Sequence, residues 1–219
     1  MEEYLSLLKM VPLFWDIEEQ ELHNLLKCLN AKVNDYKADS IIFCEGDVAQ
    51  YVGIVISGEV QIVKDDYYGN RSIVAYSQSG QLFAEAFACA DVRILPVSIL
   101  TTCDSKVMLV DYRKVITMCS GGCSFHNRLI YNMLKIVANK NVMLNHKIEF
   151  TSKRSTREKL MAYLAYEAKT AENNTFIIPF NRQELADYLC VDRSAMSNEL
   201  SKLRKEGTLE FHKNKFRLI

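Results

Sequence analysis

Short polar and cationic side chains between residues 193 and 202 have the chemistry and the spacing that DNA reading requires. Met196, Leu200 and Leu203 recur at intervals of four and three residues, which places them on one buried face of a helix. On the opposite face, small polar groups suit base edges in a major groove, and longer cationic groups suit phosphates. The side chains predicted to contact DNA from this helix are Arg193, Ser194, Ser197, Asn198, Ser201 and Lys202.

A second group with chemical potential lies in the segment CSGGCSFH, where Cys119, Cys123 and His126 follow a C-x3-C-x2-H spacing. Thiolate and imidazole ligands at this spacing can bind zinc, and two neighbouring thiols can act as a redox switch. Three ligands make an incomplete structural zinc site, however, and buried cysteines are common core residues. The segment is therefore a candidate sensor, and no metal or other cofactor is assigned to the chain.

Helix signals before residue 193 predict that the recognition helix is the second half of a helix-turn-helix. Asn181 is a favourable N-cap, and Glu184 three residues later completes a capping box. The helix that they begin is predicted to end at a turn formed by Cys190 and Val191. Asp192 then caps the recognition helix.

The chain after Gly207 is predicted to form a β-hairpin wing. Two strand-like runs, 208–211 and 215–219, flank a short polar turn that contains Lys213. A cationic side chain at the tip of such a wing is placed to contact the DNA backbone. We expect residues 151–219 to form a winged helix-turn-helix domain.

The N-terminal half has the pattern of an antiparallel β-barrel or jelly roll. Short β-rich runs over residues 31–111 are separated by glycines that fall 12, 11 and 11 residues apart, at Gly46, Gly58, Gly69 and Gly80. This is the regular turn spacing of a double-sheet barrel. We expect a sensory barrel over residues 1–120 and, because helices dominate the C-terminal third, an α+β protein.

A long helix over residues 121–150 is predicted to pair with its copy in a homodimer. Apolar positions recur at alternating intervals of four and three residues across three heptads, and one asparagine in such a seam fixes the register of paired helices. A stripe on a lone helix would more simply pack on its own barrel, but the narrowness of the seam favours a pair. The seam residues are Ile130, Leu134, Val137, Asn141, Leu144 and Ile148. Two recognition helices would then read a palindromic operator in double-stranded DNA.

The distribution of charge along the chain agrees with a separate DNA-binding part. The 219 residues carry no net charge, but residues 151–219 have a net charge of +4 and residues 1–150 one of −4, so the basic part coincides with the helix-turn-helix. Seven cysteines is an odd number, and no secretory signal precedes them, so we expect free thiols. No run is long and apolar enough for a membrane helix. These features predict a cytoplasmic protein with no membrane partner.

Catalysis is not expected. A metalloenzyme with a small double-sheet barrel needs clustered histidines on its strands, yet the chain has none between His23 and His126. P-loop, G-x-S-x-G and H-E-x-x-H motifs are absent as well. A haem sensor would need an axial histidine, and no flanking pattern supports His23, His126 or His146 in that role. A barrel that serves only protein assembly would not explain the helix-turn-helix.

The order of these elements, together with three segments, resembles the Crp/Fnr family of bacterial transcription regulators across nearly the whole chain. IIFCEGD (41–47) and YVGIVISGEV (51–60) are similar to the family's cyclic-nucleotide-binding type of barrel, and RQELADYLCVDRSAMSNELSKLRKEG (182–207) is similar to its DNA-binding half. The resemblance implies a sensory barrel that controls DNA binding, with RNA polymerase as a further partner.

Two arginines of this chain match the family's DNA-contacting positions. The resemblance implies that Arg182 contacts the DNA backbone and that Arg193 reads a guanine. The next two readers in the family are commonly Glu and Arg, whereas this chain has Ser194 and Asn198. We therefore expect an operator that differs from those of the best-known members.

The barrel departs further from the family pattern. The family's cyclic-AMP pocket uses a glutamate for the ribose hydroxyl and an Arg-Ser pair, about ten residues on, for the phosphate. This chain keeps the glutamate as Glu85, but Leu95 and Pro96 occupy the Arg-Ser positions, and Arg93 is two residues off. A buried cyclic phosphate without its arginine would be poorly compensated. Cyclic AMP is therefore not the expected effector.

We expect either an apolar or weakly polar small-molecule effector, or none at all. A cyclic-nucleotide-responsive regulator, and one that senses through Cys119, Cys123 and His126, stay as alternatives. The pocket around this glutamate is predicted to be lined by Phe83, Glu85, Phe87, Leu95, Met143 and Leu144.

Overall fold

The fold was taken from a computed structural model, which describes residues 4–90, 92–116 and 124–219. The chain forms two compact units. The first comprises Met1–Gly69 with Val74–Lys140, and the second comprises Asn70–Ile73 with Asn141–Ile219. The division between them therefore falls inside the long helix. The predicted boundaries at residues 120 and 150 stay predictions.

The first unit begins with short helices packed on a barrel of two four-stranded sheets. Helix α1 spans Leu5–Leu8, a 3-10 turn spans Pro12–Phe14, and α2 spans Glu19–Cys28. The strands are β1 Lys32–Tyr36, β2 Ile41–Phe43, β3 Tyr51–Ser57, β4 Glu59–Asp65, β5 Arg71–Gln78, β6 Leu82–Phe83, β7 Ser98–Thr101 and β8 Ser105–Asp111. Their order is β1-β8-β3-β6 in one sheet and β2-β7-β4-β5 in the other.

The barrel core lies between the two sheets and confirms the antiparallel prediction. Strand β8 pairs antiparallel with β1 and β3, and β7 pairs antiparallel with β2 and β4. Residues from both sheets fill the space between them: Val55, Val60, Ile62, Phe83, Val97, Ile99 and Val107. The sequence did not predict β1, because an edge strand of composition KVNDY has little of the apolar alternation that marks a strand.

Two short helices, α3 (Glu85–Cys89) and α4 (Tyr112–Ile116), flank the last strands, and the long helix α5 spans Ser124–Thr151. The start of α5 is tied to the N-terminal segment by Asn132. Its buried side-chain amide donates hydrogen bonds to the carbonyl oxygens of Leu13, at 3.1 Å, and Trp15, at 2.8 Å. A buried amide that is satisfied in this way fixes the packing of the helix on its own unit.

The second unit contains a three-helix core and a small sheet of order β10-β11-β9. Met196, Leu200 and Leu203 are buried, as the periodicity predicted. Strand β9, which extends the wing sheet, was not predicted. The elements are α6 Thr156–Thr170, β9 Thr175–Ile177, α7 Arg182–Leu189, α8 Arg193–Lys205, β10 Leu209–His212 and β11 Lys215–Leu218.

The end of α5 is packed into the second unit by aromatic side chains. Phe150 is buried, and its ring centre lies 5.8 Å from that of Tyr163 and 5.3 Å from that of Tyr166. Because α5 continues to Thr151 and Ser155 already caps α6, only residues 152–154 lie between the helix end and the next cap.

Lys147 makes the second unit sensitive to alkaline pH. Its ammonium group donates a hydrogen bond to the carbonyl oxygen of Ile73 and lies 4.4 Å from the ring centre of Tyr188. Burial lowers the pKa of Lys147 to about 8 from its ordinary value of 10.5. Between these two pH values the unfolded chain binds more protons at this site than the folded chain does. The stability that this group contributes therefore rises with pH across that window.

We expect Lys147→Met to remove this rise. The difference in unfolding free energy between wild type and variant should grow by about 2 kcal/mol in favour of wild type from pH 7.5 to pH 10. Urea titrations at several pH values measure it. Lys135→Met is the control, because Lys135 is an exposed lysine of the same helix. A pH-independent difference would show that Lys147 has an ordinary pKa.

Candidate nucleic-acid interface

The helix-turn-helix is held by caps at both helix starts. The side-chain oxygen of Asn181 accepts hydrogen bonds from the backbone N–H groups of Gln183, at 2.9 Å, and Glu184, at 3.0 Å. The carboxylate of Glu184 accepts one in return from the N–H of Asn181, at 2.7 Å. The predicted capping box is therefore confirmed. It fixes where α7 begins.

The turn between α7 and α8 requires an unusual backbone conformation. Cys190 caps α7 with φ of +52°, in the left-handed region that glycine prefers. Asp192 then begins α8, and its carboxylate accepts hydrogen bonds from the N–H of Ala195, at 2.8 Å, and the hydroxyl of Ser194, at 2.5 Å. These bonds hold the pKa of Asp192 below its ordinary value, the bond from Ser194 contributing most.

One face of α8 presents the predicted base-reading groups to solvent. The side chains of Arg193, Ser194, Asn198, Ser201 and Lys202 are exposed, whereas that of Ser197 is partly buried. Besides Ser194, whose hydroxyl bonds to Asp192, two of the set have partners within the helix. The Ser201 hydroxyl donates to the carbonyl oxygen of Ser197 at 2.9 Å, and the Lys202 ammonium lies 2.7 Å from the Glu199 carboxylate. Both contacts are at the surface and cost little to exchange for a DNA contact.

Arg182 has a structural contact that sequence reasoning missed. Its guanidinium carbon lies 4.7 Å from the ring centre of Phe211 and 5.1 Å from that of Phe216, and Arg204 lies 5.6 Å from the Phe211 ring. Half-burial lowers the pKa of Arg182. The arginine therefore packs the start of α7 against the wing. No local pattern signals this, because the wing rings lie far along the chain.

We expect Arg182→Ala and Arg182→Lys to separate packing from charge. Lysine keeps a cation but loses the planar face that stacks on two rings. Both variants should lower the unfolding free energy by about 1–2 kcal/mol, while Arg182→Lys should recover part of the DNA affinity that Arg182→Ala loses. Urea unfolding and DNA titration measure the two effects. Arg217→Ala, which removes an exposed wing cation, is the control. A lysine variant as stable as wild type would contradict the packing role.

The wing presents cationic side chains next to α8. Lys213 is exposed in the hairpin turn with φ of +53°, and the ladder closes with His212 opposite Lys215. Arg157 at the start of α6 forms an ion pair with Glu206 at the end of α8. The longer of its two contacts measures 3.0 Å. Local sequence could not predict that pair, since its members come from helices far apart in the chain.

Two of the predicted pocket residues lie in or against the barrel core. Phe83 is fully buried in the core, and Phe87 is partly buried against it. The Phe83 ring lies so close to Gly53 that a Cβ at Gly53 would fall 2.0 Å from a ring carbon. Glycine is therefore required on β3 by the close approach of this ring. Met143 and Leu144 belong to the second unit and are exposed.

The other predicted pocket residues have protein partners or face away. Glu85 is 2% exposed, and its carboxylate lies 2.9 Å from the ammonium group of Lys140 on α5. Leu95 is buried, while the Arg93 side chain is exposed. Arg93 is thus not placed to substitute for a phosphate-binding arginine inside the barrel. The role of these residues as an effector pocket stays a prediction.

The candidate thiol site cannot be assembled from the described residues. Cys119 and Cys123 lie outside them. His126 is buried and its Nε2 lies 3.2 Å from the carbonyl oxygen of Lys114. Within residues 4–90, 92–116 and 124–219 there is no group of three or more His, Cys, Asp or Glu side chains placed to hold a metal ion.

In the same residues, no helix is long and apolar enough to cross a membrane.

The predicted dimer seam is largely uncovered. Leu134 and Ile148 are 66% and 62% exposed, and Leu144 and Asn141 are also exposed. Ile130 and Val137 are partly buried. Large aliphatic side chains in a row at this exposure have the character of an interface that a second chain covers.

Two family models match the chain in succession. A cyclic nucleotide-binding domain matches residues 33–121, and a Crp-like helix-turn-helix domain matches residues 158–219. Together they cover more than half of the chain. No curated protein sequence matches it.

Solved structures share this fold over most of the chain. FixK2 from Bradyrhizobium japonicum is 20% identical over 86% of this chain and 92% of its own, with a TM-score of 0.67. The c-di-GMP-responsive global regulator CLP of Xanthomonas campestris is 18% identical over 90% and 98%, with a TM-score of 0.72. A CooA mutant from Carboxydothermus hydrogenoformans is 19% identical over 89% and 85%, with a TM-score of 0.68. These likenesses establish the shared architecture.

Proposed function

The chain belongs to the Crp/Fnr family of transcription regulators, and on this premise we propose that it binds a two-fold DNA operator as a homodimer. One α8 helix from each subunit enters each of two successive major grooves. Arg193, Ser194, Ser197 and Asn198 contact base edges. Arg182, Ser201, Lys202 and Lys213 hold the phosphate backbone.

The observation that carries this proposal is the exposed polar face of α8. Its start is fixed by the Asp192 cap, and its apolar face is buried by Met196, Leu200 and Leu203. The helix cannot rotate to another face without exposing that core. A rigid helix with uncommitted Arg193 and Asn198 side chains supports direct reading of guanine and adenine, respectively.

Paired α5 helices supply the two-fold symmetry. Regulators of this family function as dimers, and the exposed row from Leu134 to Ile148 supports the same arrangement here. Contact with RNA polymerase would turn DNA binding into regulation, and no catalytic step is assigned to the chain. A regulator of bacterial chromosomal DNA works in the cytoplasm, where we place it.

Selection from a pool of random duplexes tests the proposal. The purified full-length chain should enrich an inverted repeat whose half-sites are about one helical turn apart, roughly 10 base pairs centre to centre. The logarithm of the binding constant should fall linearly with the logarithm of the salt concentration, because cationic side chains release counterions from phosphates. Enrichment of no common sequence, with binding that depends on salt alone, would refute sequence-specific reading.

A further inference from the structure

The barrel residues of this chain do not fit a cyclic nucleotide. A buried phosphodiester needs a cation or free N–H donors beside it. At the position where the family supplies arginine, Leu95 is buried, and the nearby Arg93 side chain faces solvent. The backbone of this segment is also committed: the Leu95 N–H donates to the carbonyl oxygen of Asp47 at 2.8 Å, and its carbonyl oxygen accepts from Gly46 at 2.9 Å.

The carboxylate that would receive a ribose hydroxyl already has an internal partner. Lys140 places its ammonium group 2.9 Å from Oε1 of Glu85 and 2.5 Å from the carbonyl oxygen of Leu82. The two contacts join α5 to the turn between β6 and α3. That turn passes through Ala84 in the left-handed region, with φ of +63°. Lys140 therefore contacts the chain on both sides of Ala84 and holds the segment that a bound ligand would otherwise have to hold.

Because Glu85 is buried, its ion pair with Lys140 is energetically important. Glu85 is the only carboxylate among the buried side chains of the described residues, and its Oε2 is buried without a hydrogen-bond partner. Removing a cation from such a carboxylate leaves a buried charge uncompensated, which is strongly unfavourable. The ring of Phe83, two residues earlier in the chain, is packed directly on Gly53. The Glu85 carboxylate and the Phe83 ring therefore each have a contact within the protein.

We propose that Lys140 takes the place of a nucleotide effector, so that this regulator binds its operator without a cyclic nucleotide. This rests on the proposed function. The Lys140–Glu85 pair secures α3 to α5, the helix that continues into the second unit and carries the dimer seam. Lys140 is accordingly a positioning residue, which acts on DNA binding through α5 and not by touching DNA.

Nucleotide titration of the full-length wild-type chain is the first test and needs no operator. Cyclic AMP and cyclic GMP, each at about 1 mM, should leave the melting temperature unchanged, because a ligand that does not bind the folded state cannot stabilise it. Calorimetric titration should likewise show no saturable heat. A saturable stabilisation by either nucleotide would overturn the proposal, whatever the chain does with DNA.

The second test measures operator affinity in variants of Lys140, using the selected duplex. Lys140→Met should weaken binding by about tenfold, because the conformation that the pair holds is then only fractionally populated. Lys140→Arg, which keeps a cation near Glu85, should stay within about threefold of wild type. Lys135→Met, an exposed lysine one turn and a half earlier, is the matched control and should match wild type.

Removing the charges of Lys140 and Glu85 together distinguishes a specific effect of this ion pair from general damage to the fold. In Lys140→Met/Glu85→Gln no buried charge is left unpaired, so affinity should recover relative to Lys140→Met alone. A Lys140→Met variant with wild-type affinity would overturn the proposal, and so would wild-type binding that appears only when nucleotide is added. Failure of wild type to select any sequence would refute the proposed DNA reading instead, while the nucleotide titration would still decide whether the pocket is self-occupied.

Discussion

Replacing Arg193 and Asn198 together by alanine is expected to weaken binding to the selected operator by roughly two to four orders of magnitude. In the proposed complex each side chain forms a bidentate contact with one base, and each such contact contributes about 1–3 kcal/mol. Both side chains are exposed on α8, so the free energy of unfolding should hardly change. Fluorescence anisotropy at one fixed salt concentration measures the loss.

The matched control for this pair is a cation that reaches only phosphate. Lys213→Gln in the wing turn should weaken binding to specific and random duplexes alike and reduce the salt slope by about one. The Arg193/Asn198 variant should instead lose its preference for the operator while keeping the salt dependence of random duplexes. Equal losses on both kinds of DNA would show that α8 does not read bases.

Placing glutamates at Leu134 and Ile148 is expected to convert the proposed dimer to a monomer. Each side chain lies exposed in the seam, so a carboxylate there is tolerated in the single chain but is desolvated opposite its copy. Loss of the second subunit removes the effective concentration that linked half-sites provide. Operator affinity should then fall by about two orders of magnitude or more. Analytical ultracentrifugation and operator titration measure the two changes.

Val142→Glu serves as the control for the seam. Val142 is 55% exposed on the same helix, directly after the seam residue Asn141, and so points about 100° away from it. It should leave both the oligomeric state and the affinity unchanged. If the Leu134/Ile148 variant still sediments as a dimer, α5 is not the dimer interface.

The recognition unit was predictable because its signals are local. The Asn181–Glu184 box, the Asp192 cap and the Met196 stripe each depend on residues within a few positions of one another. Caps and periodicity act through hydrogen bonds and side-chain directions inside one helix, so they can be recognised without any tertiary contact. The same locality explains why the wing hairpin was placed correctly to within one residue at each end of its turn.

The sensory half was less predictable, because its decisive contacts join distant parts of the chain. The resemblance to the family indicated Glu85 but not the ammonium group that pairs with it. Lys140 on α5 looks like any helical lysine in the sequence, and only the packing of α5 on its barrel places it beside Glu85. In the same way, Gly53 could be identified as a strand glycine, while the reason for it is the Phe83 ring from β6.

Sequence by itself therefore determined that this chain is a two-part α+β regulator with a helix-turn-helix, and it predicted a reading face from Arg193 to Lys202. It did so because helix caps, turn glycines and apolar periods are short-range features. Tertiary structure alone decided what the long side chains do: Arg182 stacks on the wing, Lys147 is partly buried beside Tyr188, and Lys140 forms an ion pair with Glu85. A flexible cationic side chain takes whichever partner the fold brings within reach, and that choice is not encoded in its neighbours along the chain.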